Sequence, residues 1–426
     1  MKRRTLHLLL LATVSTGSAM AQINCSSGPD SQKLVCQFPF STGALTFDTA
    51  LYGNLTGGVA SALQAAGVFN NAVATQVSQL PLASASAGTV VVYKQGVPET
   101  FDNLGPILTD RAQTVGRHRL FVGGTFSQFV FTDIDGVSLG HLPFSYATTA
   151  SDPTTHKTLS TTFTGEETAF YFKLNQYIGV ATYGLTPRID ASVIVPIERI
   201  SIGTTTFASK SYVFNSDNTF VISFLNPDTH TPGTASGMGD VTINGKVELW
   251  RGEHATASAA MNLRTPTGDD KNYLGSGAWG YSPYLVYSYL WKVAPHAKIG
   301  YQWNTKTELN NPTASAGGNQ ALPGGIVYDV GADWALFRKL TLAGDVLGSQ
   351  YVNAPRLVPS NVSLGSNVNL HTIVTQTSTY TLNNMSLGLK WNPYRNLVLS
   401  GNVLFQLNNN GLRSRPTPLL GVSYKF

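Results

Sequence analysis

The sequence predicts an all-β protein: a transmembrane antiparallel β-barrel of about 12 strands, within a range of about 10 to 14, that follows a partly helical N-terminal region. Three observations predict this fold. Apolar and polar residues alternate along repeated segments, the connections between segments are long and short in turn, and the six tryptophans lie at segment ends. Alternation gives each strand one apolar and one polar face. Because no segment has the length and composition of a membrane helix, only closure of the sheet would pair every backbone polar group in hydrocarbon.

Alternating segments repeat from Arg117 to the end of the chain, and their connections indicate how they are arranged. The twelve segments cover roughly 117–132, 168–184, 188–208, 238–251, 253–265, 278–292, 293–306, 324–338, 339–352, 378–391, 396–408 and 412–426. Short connections follow every second segment, and long ones, at 133–167, 209–237, 266–277, 309–323 and 353–377, follow the others; only the last of this second set, 408–413, is short. Tight turns at one end and long loops at the other are typical of outer-membrane barrels, with both termini at the turn end. Segment 168–184 alternates poorly, so we expect a β-bulge there.

Aromatic residues mark the expected lipid boundaries. Trp250, Trp291, Trp334 and Trp391 lie beside short connections, and Trp279 and Trp303 lie toward long ones. Such side chains have an apolar body and a polar tip, which suits a lipid–water interface. The chain ends in PLLGVSYKF, whose Tyr424 and Phe426 continue the apolar face. We therefore predict that these two residues lie in the girdle at the turn end and form the signal that the barrel assembly machinery recognises.

The start of the chain predicts export. A basic MKRR, an apolar run at 6–14 and the small-residue site AMA at 19–21 indicate a signal peptide, 1–21, cleaved before Gln22. The alternative, an N-terminal membrane anchor, would need a longer apolar run. Without the three basic residues the formal charge is +2, from 25 cations and 23 acids, which excludes a nucleic-acid partner. Charged residues make up only 12% of the chain, about half the usual fraction for soluble proteins.

Residues 22–116 are predicted to form an N-terminal periplasmic or plug-like region before the barrel at 117–426. Their one convincing helical stretch is Thr56–Leu80. Cys25 and Cys36 are close in sequence in an exported chain, so we expect a disulfide. Twelve strands give a narrow pore, which this region or an inward-folded loop would obstruct.

Charged side chains on the predicted inward face are the candidate site residues. They are Asp190, Lys246, Glu248, Arg264, His296, Lys298, Asp329, Asp333, Asp345 and Lys390. They either line a permeation path or form internal ion pairs that brace a filled barrel, and pairing is expected in both cases. In loop 265–280, Asp269 and Asp270 could take a calcium ion, but a solvated loop is the simpler interpretation. We predict no metal, no cofactor and no enzyme, since GxSxG and HExxH motifs are lacking.

One long stretch resembles a known family. LRTPTGDDKNYLGSGAWGYSPYLVYSYLWKVAPHAKIGYQWN, 263–304, is similar to the outer-membrane proteins named for the meta-pathway of phenol degradation, which are also classed as transporters. Further similar stretches lie at 69–88, 104–136, 181–197 and 340–352. The family is more distantly similar to barrels that pass fatty acids and aromatic hydrocarbons. The resemblance implies uptake of small hydrophobic or aromatic compounds and gives no catalytic or binding residues.

The sequence thus predicts a channel or transporter in the outer membrane of a Gram-negative-type bacterium, passing small, hydrophobic or aromatic solutes. Its expected partners are outer-membrane lipid, the assembly machinery and the solute. Two alternatives stay open: a barrel that does not transport and acts in structure or surface binding, and a barrel enzyme acting on lipids.

Overall fold

The structure is a computed structural model, and it describes residues 32–35, 69–77, 91–94, 97–100, 104–151, 158–217, 219–225, 229–310, 320–364, 369–394 and 396–426. The predicted signal peptide, Cys25 and Cys36 of the predicted disulfide, and most of the stretch Thr56–Leu80 therefore lie outside the described residues. Of that stretch, 69–77 is described and is helical. None of the helices in these ranges has the length and apolar character needed to cross a membrane.

Twelve antiparallel strands form the wall of a closed barrel. In chain order they are β1 Leu120–Ile134, β2 Thr158–Thr186, β3 Ile189–Asn215, β4 Thr242–Arg251, β5 Ala255–Arg264, β6 Gly280–Tyr289, β7 Val293–Asn304, β8 Gly325–Phe337, β9 Leu340–Ser363, β10 Asn369–Tyr394, β11 Leu397–Gln406 and β12 Thr417–Lys425. Each strand pairs with the next one in sequence, and β12 pairs with β1 from Leu419↔Ser127 to Lys425↔Phe121. This last pairing closes the sheet and removes its edges. The predicted fold class and strand number are confirmed.

The outer surface of the barrel is apolar. Along β4, Ile243, Val247 and Leu249 are exposed while the alternate residues Asn244, Lys246 and Glu248 are buried. Other outward apolar side chains are Ile299 on β7, which is 59% exposed, and Leu420 on β12, which is 61% exposed. All six tryptophans are exposed at the ends of the barrel strands. An apolar band between aromatic girdles is the exterior of a barrel that spans an outer membrane, so the predicted localisation is confirmed.

The long connections contain more strand than the sequence predicted. Four strands, β2, β3, β9 and β10, continue well beyond the predicted segments, into the ranges assigned to loops at 133–167, 209–237 and 353–377. These extensions pair with one another or with added strands at Leu142–Ser151, Phe220–Leu225 and Thr229–Met238. The prediction of unpaired long loops is wrong there, because β-pairing above the bilayer needs no apolar face and leaves no alternating pattern.

Segment 168–184 alternates poorly for a physical reason. It has bulges at its ends, between Glu167 and Thr168 and between Gly184 and Thr186. Between them the burial alternates regularly, and the inward side chains include Phe170, Phe172 and Leu174. The inward face of β2 is therefore apolar at Phe170, Phe172 and Leu174, where the lumen is packed with apolar side chains.

Candidate functional site

Two parts of the N-terminal region lie inside the barrel, at different heights. We call residues 104–115 the strap and the helix at 69–77 the inner helix. The strap contacts inward side chains near the short turns, such as Asp190, the second residue of β3, and Thr341, the second residue of β9. The inner helix lies farther toward the long loops, against the middle of β2. The lumen therefore has a strap layer at its short-turn end and a helix layer at its long-loop end.

Two lysines hold the strap by its backbone. Lys246 donates from Nζ to the carbonyl oxygens of Arg111 and Gln113, both at 3.0 Å. Lys390 donates to the carbonyl oxygens of Leu104, at 3.4 Å, and Pro106. Both lysines are buried. Hydrogen bonds from a charged donor are stronger than neutral ones, so these four bonds fix both ends of the strap.

Other barrel side chains form hydrogen bonds with the backbone of the strap. Asp190 accepts from the backbone amide of Val115 at 2.8 Å, and Ser288 accepts from that of Ala112 at 3.0 Å. Ser258 donates to the Ala112 carbonyl. Backbone groups buried in the lumen are thus paired, as burial requires.

A buried ionic cluster lies under the middle of the strap. His296 approaches Asp345 at 2.8 Å through Nε2 and Asp333 at 3.6 Å through Nδ1. Arg111 of the strap reaches Asp333 at 3.8 Å, and the Thr109 hydroxyl lies 2.7 Å from His296 Nε2. The cluster joins β7, β8 and β9 to the strap through opposite charges, which offsets part of the cost of burying them.

The remaining charged candidates are also paired. Glu248 is held by Arg251, Arg264 lies 3.6 Å from Asp240, and Lys298 contacts Asp329. All of these candidates except Lys298 are buried, and the Lys298 side chain is 19% exposed. Their use as a permeation path stays a prediction.

The helix layer is held by apolar packing. Phe69 stacks on Phe170 at 6.0 Å between ring centroids and meets Phe172 edge-on at 6.1 Å. Val73 and Val77 are buried in the same apolar cluster. This cluster extends to Leu34 and Val35 and to residues of the long-loop end. Shape and apolar area, not charge, keep the inner helix in place.

Loop 265–279 covers the inner helix. Tyr273 is fully buried and donates to the Asn70 side chain. Asp269 accepts from Lys33 at 2.7 Å and from Asn272 at 2.8 Å. Burial, with the nearby Glu308 carboxylate, raises the pKa of Asp270 to about 6. Lys33 already neutralises Asp269, so a calcium ion at Asp269 and Asp270 would have to displace this lysine.

A cavity of about 200 Å³ lies between the strap layer and the helix layer, and we call it the chamber. Leu108 and Asp110 of the strap and Gln76 of the inner helix contribute to its lining. Four aromatic rings line it, from Phe129, Phe131, Tyr284 and Tyr351, and its charged residues are Asp110, Arg264, Lys298, Asp329 and Arg413. Apolar walls with a few placed polar groups are typical of small-molecule sites.

Sequence reasoning found Arg264, Lys298 and Asp329 of this lining and missed the rest. Arg413 lies where 412–426 was predicted to be one strand; the structure has a short strand, Leu412–Ser414, before β12. The strap carries no periodic pattern that would have placed it in the lumen. Tyr424 and Phe426 lie at the turn end with ring centroids 4.7 Å apart, and Phe426 is 67% exposed. Their role as an assembly signal stays a prediction.

A family model supports the resemblance seen in the sequence. The family described as "Putative MetA-pathway of phenol degradation" matches residues 147–351, which confirms that resemblance. No protein with a curated description matches the chain.

Solved structures of similar fold are outer-membrane proteins. An outer-membrane channel from Pseudomonas putida F1 has a TM-score of 0.47 and 13% identity, and the alignment covers 74% of this chain and 98% of that one. The NanC porin has a TM-score of 0.37 and 10% identity, over 72% and 100% of the two chains. A Pseudomonas aeruginosa FadL homologue has a TM-score of 0.31 and 8% identity, over 72% and 90%. None of the three is described as an enzyme.

Proposed function

From the match of residues 147–351 to this family, and from the chamber, we propose that the chain is an outer-membrane channel that passes small aromatic molecules through its lumen. The observation that carries the proposal is the chamber itself. A cavity of about 150 Å³ accommodates benzene in another protein, so about 200 Å³ suits one substituted ring. The aromatic walls favour such a ring, and the polar groups tolerate a substituent.

In this proposal, residues 22–116 act as a plug and the strap is its moving part. The strap contains no regular secondary structure in the range that the structure describes. It is held by hydrogen bonds to its backbone, by the ion pair of Arg111 with Asp333, and by Ile107 and Leu108, which join the apolar cluster of the inner helix. Its displacement would connect the chamber to the short-turn end without unfolding the barrel.

The test is flux across proteoliposomes. The mature protein should pass benzyl alcohol faster than protein-free vesicles do and should exclude a disaccharide. Ser282→Trp, which fills the chamber from β6, should reduce this flux at least tenfold. Leu285→Trp, on the outward face of the same strand and 56% exposed, is the matched control and should leave it unchanged. A shift in gel mobility on boiling would verify that each variant is a folded barrel.

A second candidate function is favoured by the two filled layers of the lumen: a barrel that does not transport and binds partners through its long hairpins. The hairpin of β9 and β10 extends far beyond the membrane-spanning part. Equal benzyl alcohol flux with and without protein, in vesicles where the barrel is folded, would contradict the channel and support this alternative.

A further inference from the structure

Arg413 is a buried cation that lacks a carboxylate partner among the described residues. It lies on the short strand Leu412–Ser414, is 3% exposed, and lines the chamber. One terminal nitrogen, Nη2, donates to the Asn383 carbonyl at 2.7 Å, and Nε has no hydrogen-bond partner. An uncompensated buried charge is costly, and this cost is relieved when an anion binds beside it.

The other charges of the chamber are already engaged. Arg264 lies near Asp240, Lys298 contacts Asp329, and Asp110 accepts from Tyr284 at 2.9 Å. Of the three cations in the lining, Arg264 and Lys298 lie beside the carboxylates Asp240 and Asp329. Arg413 is therefore the cation of the chamber that a bound anion would neutralise.

A second unpartnered donor lies at the same end of the chamber. Gln76 of the inner helix is 7% exposed and lines the chamber, and its Nε2 has no hydrogen-bond partner. This nitrogen lies against Gly411, two residues before Arg413, where an added Cβ would come within 2.8 Å of it. The glycine therefore leaves space for the amide, and two buried donors approach the chamber from one side.

Apolar side chains lie beside these donors. Phe131, Leu382, Leu404 and Leu412 all line the chamber. A ligand that satisfies this arrangement has a planar anionic group at one end and an apolar ring at the other. The guanidinium fork of arginine matches a carboxylate better than it matches a hydroxyl.

We propose that the chamber binds a small aromatic carboxylate, with its carboxylate group between Arg413 and Gln76 and its ring against the apolar wall. This proposal rests on the proposed function and narrows it from aromatic molecules in general to anionic ones. Passage would then include a bound state in which the carboxylate of the solute is the counter-ion of Arg413.

The experiment compares benzoate with benzamide, a neutral molecule of nearly the same shape, by calorimetry on the detergent-solubilised mature protein. Benzoate should bind at least tenfold more tightly than benzamide. Arg413→Met should reduce benzoate affinity to the benzamide level, and Arg413→Lys should retain part of the preference. Gln76→Leu should weaken benzoate binding severalfold. Arg415→Met removes the same charge from an exposed position two residues away and should have no effect.

Equal affinity for benzoate and benzamide, no detectable benzoate binding, or full benzoate affinity in a folded Arg413→Met would each overturn the proposal. These results are separable from failure of the channel itself, because benzyl alcohol flux is measured independently. A protein that passes benzyl alcohol without preferring benzoate keeps the channel and loses the carboxylate site.

Discussion

The strap layer and the helix layer fill the same lumen, but the strap is held by many more polar contacts than the inner helix. The strap is held by two lysines that bind its carbonyl oxygens and by the ionic cluster under Arg111 and Thr109. The inner helix is held by Phe69, Val73 and Val77 in an apolar cluster, to which the strap contributes Ile107 and Leu108. When a hydrogen bond to the backbone breaks, water can replace the lost partner, so the net free-energy cost is small. When an apolar contact breaks, its surface is exposed to water, and that exposure is unfavourable. We therefore predict that the strap is the element that opens and that the helix layer is the fixed wall of the chamber.

The largest effect is expected from removing both lysines of the strap layer. Lys246→Met with Lys390→Met deletes four hydrogen bonds from charged donors, each worth about 1.5–3 kcal/mol. Amide hydrogen exchange in the strap should accelerate at least 100-fold, while exchange in the inner helix should not change. Lys292→Met, in an exposed short turn, is the control. Unchanged strap protection in the double variant would show that the lysines do not hold the strap.

The helix layer should respond to the complementary change. Phe69→Ala removes a buried ring, for which core truncations cost about 3–5 kcal/mol. Exchange should accelerate in the inner helix and leave the strap as it was, as measured by the same mass spectrometry. If both layers lost protection together, they would form one cooperative unit, and the separation of a moving strap from a fixed wall would be wrong.

A smaller effect is expected from pH, through the loop that covers the inner helix. Because the folded pKa of Asp270 is raised to about 6, its folded carboxyl binds a proton more tightly than the unfolded one. Stability therefore rises as pH falls from 7 to 5, by about 1 kcal/mol for one unit of differential binding. Exchange in 268–279, corrected for intrinsic rates, should slow over this range. Asp270→Asn should remove this dependence, and a loop that loosened at pH 5 would contradict the assignment.

The smallest effect concerns the contact between that loop and the inner helix. Tyr273→Phe keeps the buried ring and removes the hydrogen bond to Asn70, worth about 1 kcal/mol. Helix exchange should accelerate severalfold in this variant and remain slower than in Phe69→Ala. A larger effect than that of Phe69→Ala would mean that the loop, not apolar packing, holds the helix.

The sequence predicted the wall of the barrel better than its contents. Alternation along β4 and β7 indicates directly which side chains face lipid, because successive residues of a strand point to opposite faces of the sheet. The same rule placed Lys246, His296 and Lys390 inward. It could not reveal that the two lysines bind backbone carbonyls of the strap and that His296 contacts Thr109, because the strap has no repeating pattern. Phe170 and Phe172 could have indicated that the lumen is filled, because apolar residues on an inward face are expected where the lumen is packed.

The measurement that tests the central claim most directly is flux through a barrel with a locked strap. Ala112→Cys with Ser258→Cys pairs two residues that are in contact across the lumen, and single-cysteine variants serve as controls. In proteoliposomes, oxidation of the double variant should reduce benzyl alcohol flux at least tenfold, and reduction should restore it. Equal flux in the oxidised and reduced states, with the disulfide verified by mass spectrometry, would contradict passage past the strap.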